Sequence, residues 1–156
     1  MNGGEQNNAA SSHTRVTPYL CVNGAARAIE FYAQAFGATE EVRLIDDSGR
    51  VSHAEISIDG APIYLADEFP EINVLSPQTL GGSPVLITLQ VADVDGTFNQ
   101  AVAAGATVER PLDDGFDGAM RTGKVIDPFG HHWLIITMRE QLSSEELESR
   151  YAGSAS

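Results

Sequence analysis

Between Val16 and Val22 apolar and polar side chains alternate, with Val16, Pro18, Leu20 and Val22 on one face and Thr17, Tyr19 and Cys21 on the other. A period of two predicts a half-buried strand. Pro18 lacks an amide donor and places this strand at an edge or opposite a gap in the ladder. From Ala25 to Phe36 the period lengthens: Ala25, Ala28, Ile29, Tyr32 and Phe36 form one stripe of a helix. Asn23 is positioned to cap that helix and Gly37 to stop it. A strand follows near Thr39 to Ile45, then a turn at Asp46 to Gly49. Val51 to Ile58 alternates again, with Ala54, Ile56 and Ile58 on one face and His53, Glu55 and Ser57 on the other. Asp59-Gly60 predicts a tight hairpin turn and Ala61 to Ala66 the returning strand. The order is β-α-β-β-β.

Glu68 to Ser83 is polar and punctuated by Pro and Gly, which predicts a linker. The same order then restarts. Val85 to Val91 alternates, Asp93 caps a helix that runs to Ala104, and Gly105 closes it. Thr107 to Arg110 reads as a strand, Pro111 to Gly118 as an acidic, mobile loop, Arg121 to Ile126 as a strand, Asp127 to Gly130 as a turn, and His131 to Met138 as the last strand. Local identity supports the duplication: residues 33–41 and 101–109 both read A-x-A-x-G-A-T-x-E. A repeat of this length is half a small domain rather than a solenoid unit. The boundaries predicted are a disordered tail over 1–14, one domain over 15–139 and a C-terminal helix and tail over 140–156. The domain divides into module one (15–67), linker (68–83) and module two (84–139). Ser143 and Glu146 form a capping box opening the last helix, predicted to reach about Tyr151.

The chain of 156 residues is long enough for one domain with a real core, at 42% hydrophobic and 20% charged residues. Nine basic against 22 acidic residues give a net charge of −13, which disfavours nucleic acid and anionic lipid as partners. The one cysteine, Cys21, excludes an intrachain disulfide and fits a reducing, cytoplasmic setting. No apolar run is long enough to span a bilayer. The N-terminus has neither the basic start nor the apolar core of a signal peptide.

The duplicated β-α-β-β-β order, with Asp67-Glu68-Phe69-Pro70-Glu71, Ser76-Pro77-Gln78, Leu80-Gly81-Gly82-Ser83-Pro84, Val91-Ala92-Asp93-Val94-Asp95 and Asp127-Pro128-Phe129-Gly130-His131, resembles the vicinal oxygen chelate superfamily. This is the superfamily of glyoxalase I, bleomycin-resistance proteins and extradiol dioxygenases, and the motifs resemble its PhnB-like branch. The resemblance covers Val16 to Met138. It implies an α+β fold of two tandem βαβββ modules, a curved mixed sheet around a cleft, and modules that complete that cleft within one chain or across a homodimer. It leaves the chemistry open, because the same fold serves isomerases, lyases, dioxygenases, transferases and drug-binding proteins.

In metal-dependent members the first and last strand of each module each supply one His, Gln or Glu. The resemblance places those four positions at Thr17, Tyr64, Leu86 and Leu134, none a typical ligand of a divalent ion. No cofactor is therefore expected on this reading. The strongly apolar parity of each strand is expected to lie under the helices and the other parity to line the cleft, with Tyr19, Tyr64, Thr88, Gln90, His132 and Leu134 as candidate ligand contacts. Apolar area with sparse polar groups suits a small molecule, and an acidic rim suits an apolar or cationic one. The alternative is an enzyme of the same superfamily, a lyase, isomerase or dioxygenase-like catalyst. It would use His53, Glu55 and His132 as acid–base groups or as a non-standard divalent metal site. The bland reading of His53 and Glu55 is a satisfied polar pair. His131 is expected to hydrogen-bond within its turn, Trp133 to be core, and Cys21 to be a sheltered thiol without a base to activate it. Phe116 and Met120 are candidates to touch a ligand from the acidic loop. A scaffold role has no feature in its favour.

Overall fold

The computed structural model describes residues 13–154. Eight strands and four helices run in the order β1 (Tyr19–Val22), α1 (Ala25–Phe36), β2 (Thr39–Ile45), β3 (Val51–Ile58), β4 (Ala61–Asp67), α2 (Pro77–Leu80), β5 (Leu86–Gln90), α3 (Val94–Ala104), β6 (Thr107–Gly115), β7 (Met120–Ile126), β8 (His132–Met138) and α4 (Ser144–Ser154). The strands form two four-stranded mixed sheets, ordered β1-β4-β3-β2 and β5-β8-β7-β6. In each sheet the first strand lies parallel to the fourth and the other pairs are antiparallel. The registers also match. Tyr19 pairs with Tyr64 as Thr88 pairs with Leu134. The duplication read from the sequence is thus a duplication of backbone.

The repeated segment explains part of this. Each copy ends a helix at a glycine, Gly37 after α1 and Gly105 after α3, and the following threonine opens the next strand. Gly37 sits at φ 69° with its amide donating back to the last turn, a conformation costly for a residue with a Cβ.

One face of each sheet packs under its helix, and α1 and α3 pack against each other. A single apolar core results, joining Val22, Ile56 and Leu65 of module one to Val125, Trp133 and Ile135 of module two. Trp133 is fully buried against Phe36 and Tyr32, with ring centroids 4.7 and 5.6 Å away. Asp127 joins the halves. Its Oδ2 accepts from Tyr32 Oη at 2.6 Å and Trp133 Nε1 at 2.9 Å, and its Oδ1 from the amides of Phe129 and His131.

Several local expectations are corrected. β1 begins at Tyr19, and Val16 is 91% exposed; pairing reaches back only as far as the Pro18 carbonyl, which accepts from Tyr64 N. Asn23 does not cap α1. The parallel pairing of Val22 with Asp67 brings the Asp67 carboxylate to the helix start, where it accepts from Gly24 N and Ala25 N. The 68–83 linker holds a 3₁₀ turn over Pro70–Ile72 and α2, which Ser76 caps through Thr79 N. The segment predicted as a loop after Arg110 is strand: β6 runs through Pro111 to Gly115, with only a tight turn at its end. Pro111 is tolerated because β6 is an edge strand. The capping box forms as read, with Ser143 and Glu146 exchanging hydrogen bonds, and α4 continues to Ser154 rather than ending at Tyr151. Most of the disordered tail expected over 1–14, and Ala155 and Ser156, lie outside the described residues.

Candidate functional site

With one face of each sheet under the helices, the opposite face stays open. On sheet one this face carries Tyr19 and Cys21 from β1, Tyr64 and Ala66 from β4, and His53 and Glu55 from β3. Strand order brings the aromatics together. The rings of Tyr19, His53 and Tyr64 lie with centroids 5.2–5.9 Å apart. His53 Nδ1 is 2.8 Å from Tyr19 Oη, and His53 Nε2 is 3.1 Å from Glu55 Oε1. Neutral His53 has only one arrangement that satisfies both contacts. The Glu55 carboxylate can only accept, so Nε2 carries the proton and Nδ1 accepts from the Tyr19 hydroxyl. Partial burial, and secondarily Cys21, raises the Tyr19 pKa, so its phenol stays protonated near neutrality. The Tyr64 hydroxyl has no hydrogen-bond partner among the described residues.

A pocket of about 420 Å³ opens beside Tyr19, lined by Ser52, Ala66, Phe69, Ile72 and Val74. Its wall is the segment after β4, closed on itself by paired Phe69 and Val74. Arg50 holds that wall, stacking its guanidinium 4.0 Å over the Phe69 ring and pairing with Glu71 at 2.9 Å. Arg50 also pairs with Asp46.

The open face of sheet two has a different character. Leu86, Thr88 and Gln90 of β5 lie beside His132, Leu134 and Ile136 of β8. His132 Nδ1 is 3.2 Å from Glu109, which also meets Lys124 at 3.1 Å. Hydrogen bonds from Lys124 first and His132 second hold the Glu109 carboxyl below its usual range. The Thr88 and Gln90 side chains make no hydrogen bond among the described residues. They line a groove of about 790 Å³ whose other wall includes Ile58, Asp59 and Ala61 at the β3–β4 turn.

The candidate residues therefore fall on two surfaces. Tyr19 and Tyr64 share one, and Thr88, Gln90, His132 and Leu134 share the other. The contacts that join the modules run chiefly between helices, and Tyr19, Leu44, Leu86, Thr88 and Gln90 remain exposed. A cleft lined by both sheet faces is not closed within one chain. His53 and Glu55 meet each other but not His132, and among the described residues no three His, Cys, Asp or Glu side chains gather as a cation site.

The four positions that the resemblance would assign to metal ligands carry weak donors or none. Tyr64 and Leu134 lie on the open faces opposite Tyr19 and Thr88, Leu86 lies opposite His132, and Thr17 precedes β1. Two leucines offer only carbon, so this set does not suit a divalent ion.

His131 reaches out of its turn: its Nε2–H donates to the Cys21 carbonyl at 2.9 Å and pins module two to β1. Cys21 is half-buried, and burial, then Glu68 and Asp67, push its thiol up to about 11. Phe116 lies against Tyr151 of α4, and Met120 lies beside Gly115, both away from the Tyr19 pocket. The Tyr19–His53 bond and the Phe69–Val74 wall were missed by sequence reasoning. The sequence did place Tyr19 and His53 on cleft-facing parities, and their meeting follows once β4 is set between β1 and β3.

Residues 11–135 match the model of the Glyoxalase/Bleomycin resistance protein/Dioxygenase superfamily. The chain is 40% identical over 137 residues to the uncharacterized protein Rv0887c of Mycobacterium tuberculosis, covering 86% of this chain and 80% of that one. Protein PA1353 of Pseudomonas aeruginosa has a similar structure, with a TM-score of 0.67 at 26% identity over 82% of this chain and all of that one. So does the product of the Arabidopsis thaliana gene At5g48480, with a TM-score of 0.63 at 27% identity over 79% of this chain and 98% of that one.

Proposed function

The chain belongs to the glyoxalase/bleomycin resistance protein/dioxygenase superfamily, and on that premise we propose that it binds a small, largely apolar or cationic molecule without a divalent metal at the family's usual position. One observation carries this reading. An aromatic cluster of Tyr19, Tyr64 and His53 lies uncovered on a sheet face beside an apolar pocket, with an unpartnered phenol on Tyr64. Aromatic surface supplies affinity at little cost in side-chain entropy, and a few polar groups fix orientation. Glu55 at the edge of the cluster favours a cationic group on the ligand.

The open faces call for a second copy. Tyr19 is 53% exposed, Leu44 54% and Leu86 43%, apolar surface on the open faces that a second copy would cover. In the homodimer we propose, the sheet-one face of one protomer meets the sheet-two face of its partner. Tyr19 and Tyr64 then share a cleft with Thr88, Gln90 and Leu134 of the other copy. No helix among the described residues is long and apolar enough to cross a membrane.

A thermal-shift screen of chelator-treated protein against hydrophobic cationic antibiotics and small oxo-acids tests binding, since a ligand selective for the native state raises its Tm. A hit whose shift survives chelation and is lost in Tyr64→Ala supports the reading. Shifts that appear only when Zn, Ni, Mn or Fe is restored contradict it.

A further inference from the structure

We propose that Tyr19, His53 and Glu55 form a proton relay, with Tyr19 exchanging a proton with the molecule seated beside it, so that this face has an acid–base activity as well as an affinity. The inference rests on the binding reading above and adds chemistry to it. Three groups stand in line. The Glu55 carboxylate fixes the tautomer of His53, and His53 presents its bare Nδ1 to the Tyr19 hydroxyl at 2.8 Å. A hydroxyl, an imidazole that can take its proton, and a carboxylate that orients the imidazole make up the arrangement by which a weakly acidic side chain becomes a base. A satisfied polar pair on a sheet surface would need only His53 and Glu55. Here the chain extends to a third group, and that group lines the apolar pocket.

A proton on an acidified C–H of the bound molecule passes to the Tyr19 oxygen while the Tyr19 proton passes to His53 Nδ1. The C–H electron pair stays on the molecule, as a carbanion or to expel a leaving group. His53 then carries both ring protons beside Glu55, and the relay returns the proton to the product or to water. Tyr19 keeps its proton at neutral pH, as a relay that hands on a proton requires, rather than standing as a free phenolate. The pocket selects a flat, mainly apolar substrate whose C–H is acidified by a neighbouring electron-withdrawing group. Phe69, Ile72, Val74 and Ala66 offer it no charge.

5-Nitrobenzisoxazole is a suitable probe. Removal of its C–H proton forms a nitrile, breaks the N–O bond and releases a coloured cyanonitrophenolate, with no metal or co-reactant. The full chain should turn it over with kcat at least about a hundredfold above Tyr19→Phe and His53→Asn, the low end of what a positioned base contributes. Glu55 acts through His53, so Glu55→Gln should lower kcat and leave KM unchanged. The ¹⁵N spectrum of the unaltered protein should show His53 protonated at Nε2. Binding of the inert isostere 5-nitroindazole, followed by calorimetry, separates the two readings. Equal turnover by Tyr19→Phe and the unaltered chain, or bound 5-nitroindazole without turnover of the probe, overturns the relay and leaves binding standing. Absence of both binding and turnover overturns both.

Discussion

On the side that faces the helices, the two modules carry the same kind of chemistry. Val22, Ile56 and Leu65 in one are answered by Val125, Trp133 and Ile135 in the other, all buried. On the open side the modules part. Where module one pairs Tyr19 with Tyr64, module two pairs Thr88 with Leu134 at the same register. Where module one sets His53 between a carboxylate and a phenol, module two sets His132 against a Glu109 shared with Lys124. Packing constrains the covered side of both copies alike, because either must fill the same core. The open side is free of that demand, and its divergence separates an aromatic, proton-handling surface from an aliphatic one with unpartnered amide and hydroxyl groups.

The largest effect should come from breaking the covered side. Asp127→Ala leaves Tyr32, Trp133 and two amides without their acceptor, and should cost about 3 kcal/mol or more in urea unfolding. Tyr64→Ala, on the open side, should change stability by less than about 1 kcal/mol, as half-buried surface substitutions do. A comparable loss from both would erase the distinction between the faces.

Alkali sharpens the same contrast. Burial, then the neighbouring Asp127 charge, raises the Tyr32 pKa well above its ordinary 10.0. In the unfolded chain Tyr32 ionises near pH 10, while in the folded one it holds its proton. Its contribution is therefore fully present below about pH 10. Above that it falls by up to about 1.4 kcal/mol per pH unit until the folded group itself ionises. Tyr32→Phe should flatten this part of the stability–pH curve, and an unchanged slope would contradict the assignment.

The smallest effect concerns Cys21, on the open side but sheltered. Its alkylation rate, followed by mass spectrometry, should keep rising towards a midpoint near pH 11 rather than the ordinary 9.0. A midpoint at or below 9 would show an activated thiol and move the chemistry of this face to Cys21.

Much of the fold was legible because alternation and helical stripes report burial directly. Both βαβββ orders, the Gly37 and Gly105 stops, the Asp93 cap and the buried Trp133 follow from local pattern. What local pattern does not carry is pairing. Asp67 reaches the start of α1 only because β1 and β4 lie side by side, and Pro111 to Gly115 stays in β6 only because β7 supplies partners for an acidic stretch. The candidate site was legible as a set of faces, since parity decides which side chains point together. The Tyr19–His53 bond depends on strand order, and the division of the candidates between two surfaces depends on α1 meeting α3.

A cleft shared between copies is tested most directly by complementation. A Tyr19→Ala/Tyr64→Ala chain and a Thr88→Ala/Gln90→Ala chain should each fail to bind a compound selected by the thermal-shift screen. Mixed, unfolded and refolded together, they should regain binding, measured by calorimetry, with one live cleft in each mixed dimer. Unimpaired binding by the Thr88→Ala/Gln90→Ala chain, or a mixture that binds no more than its components, would contradict the shared cleft.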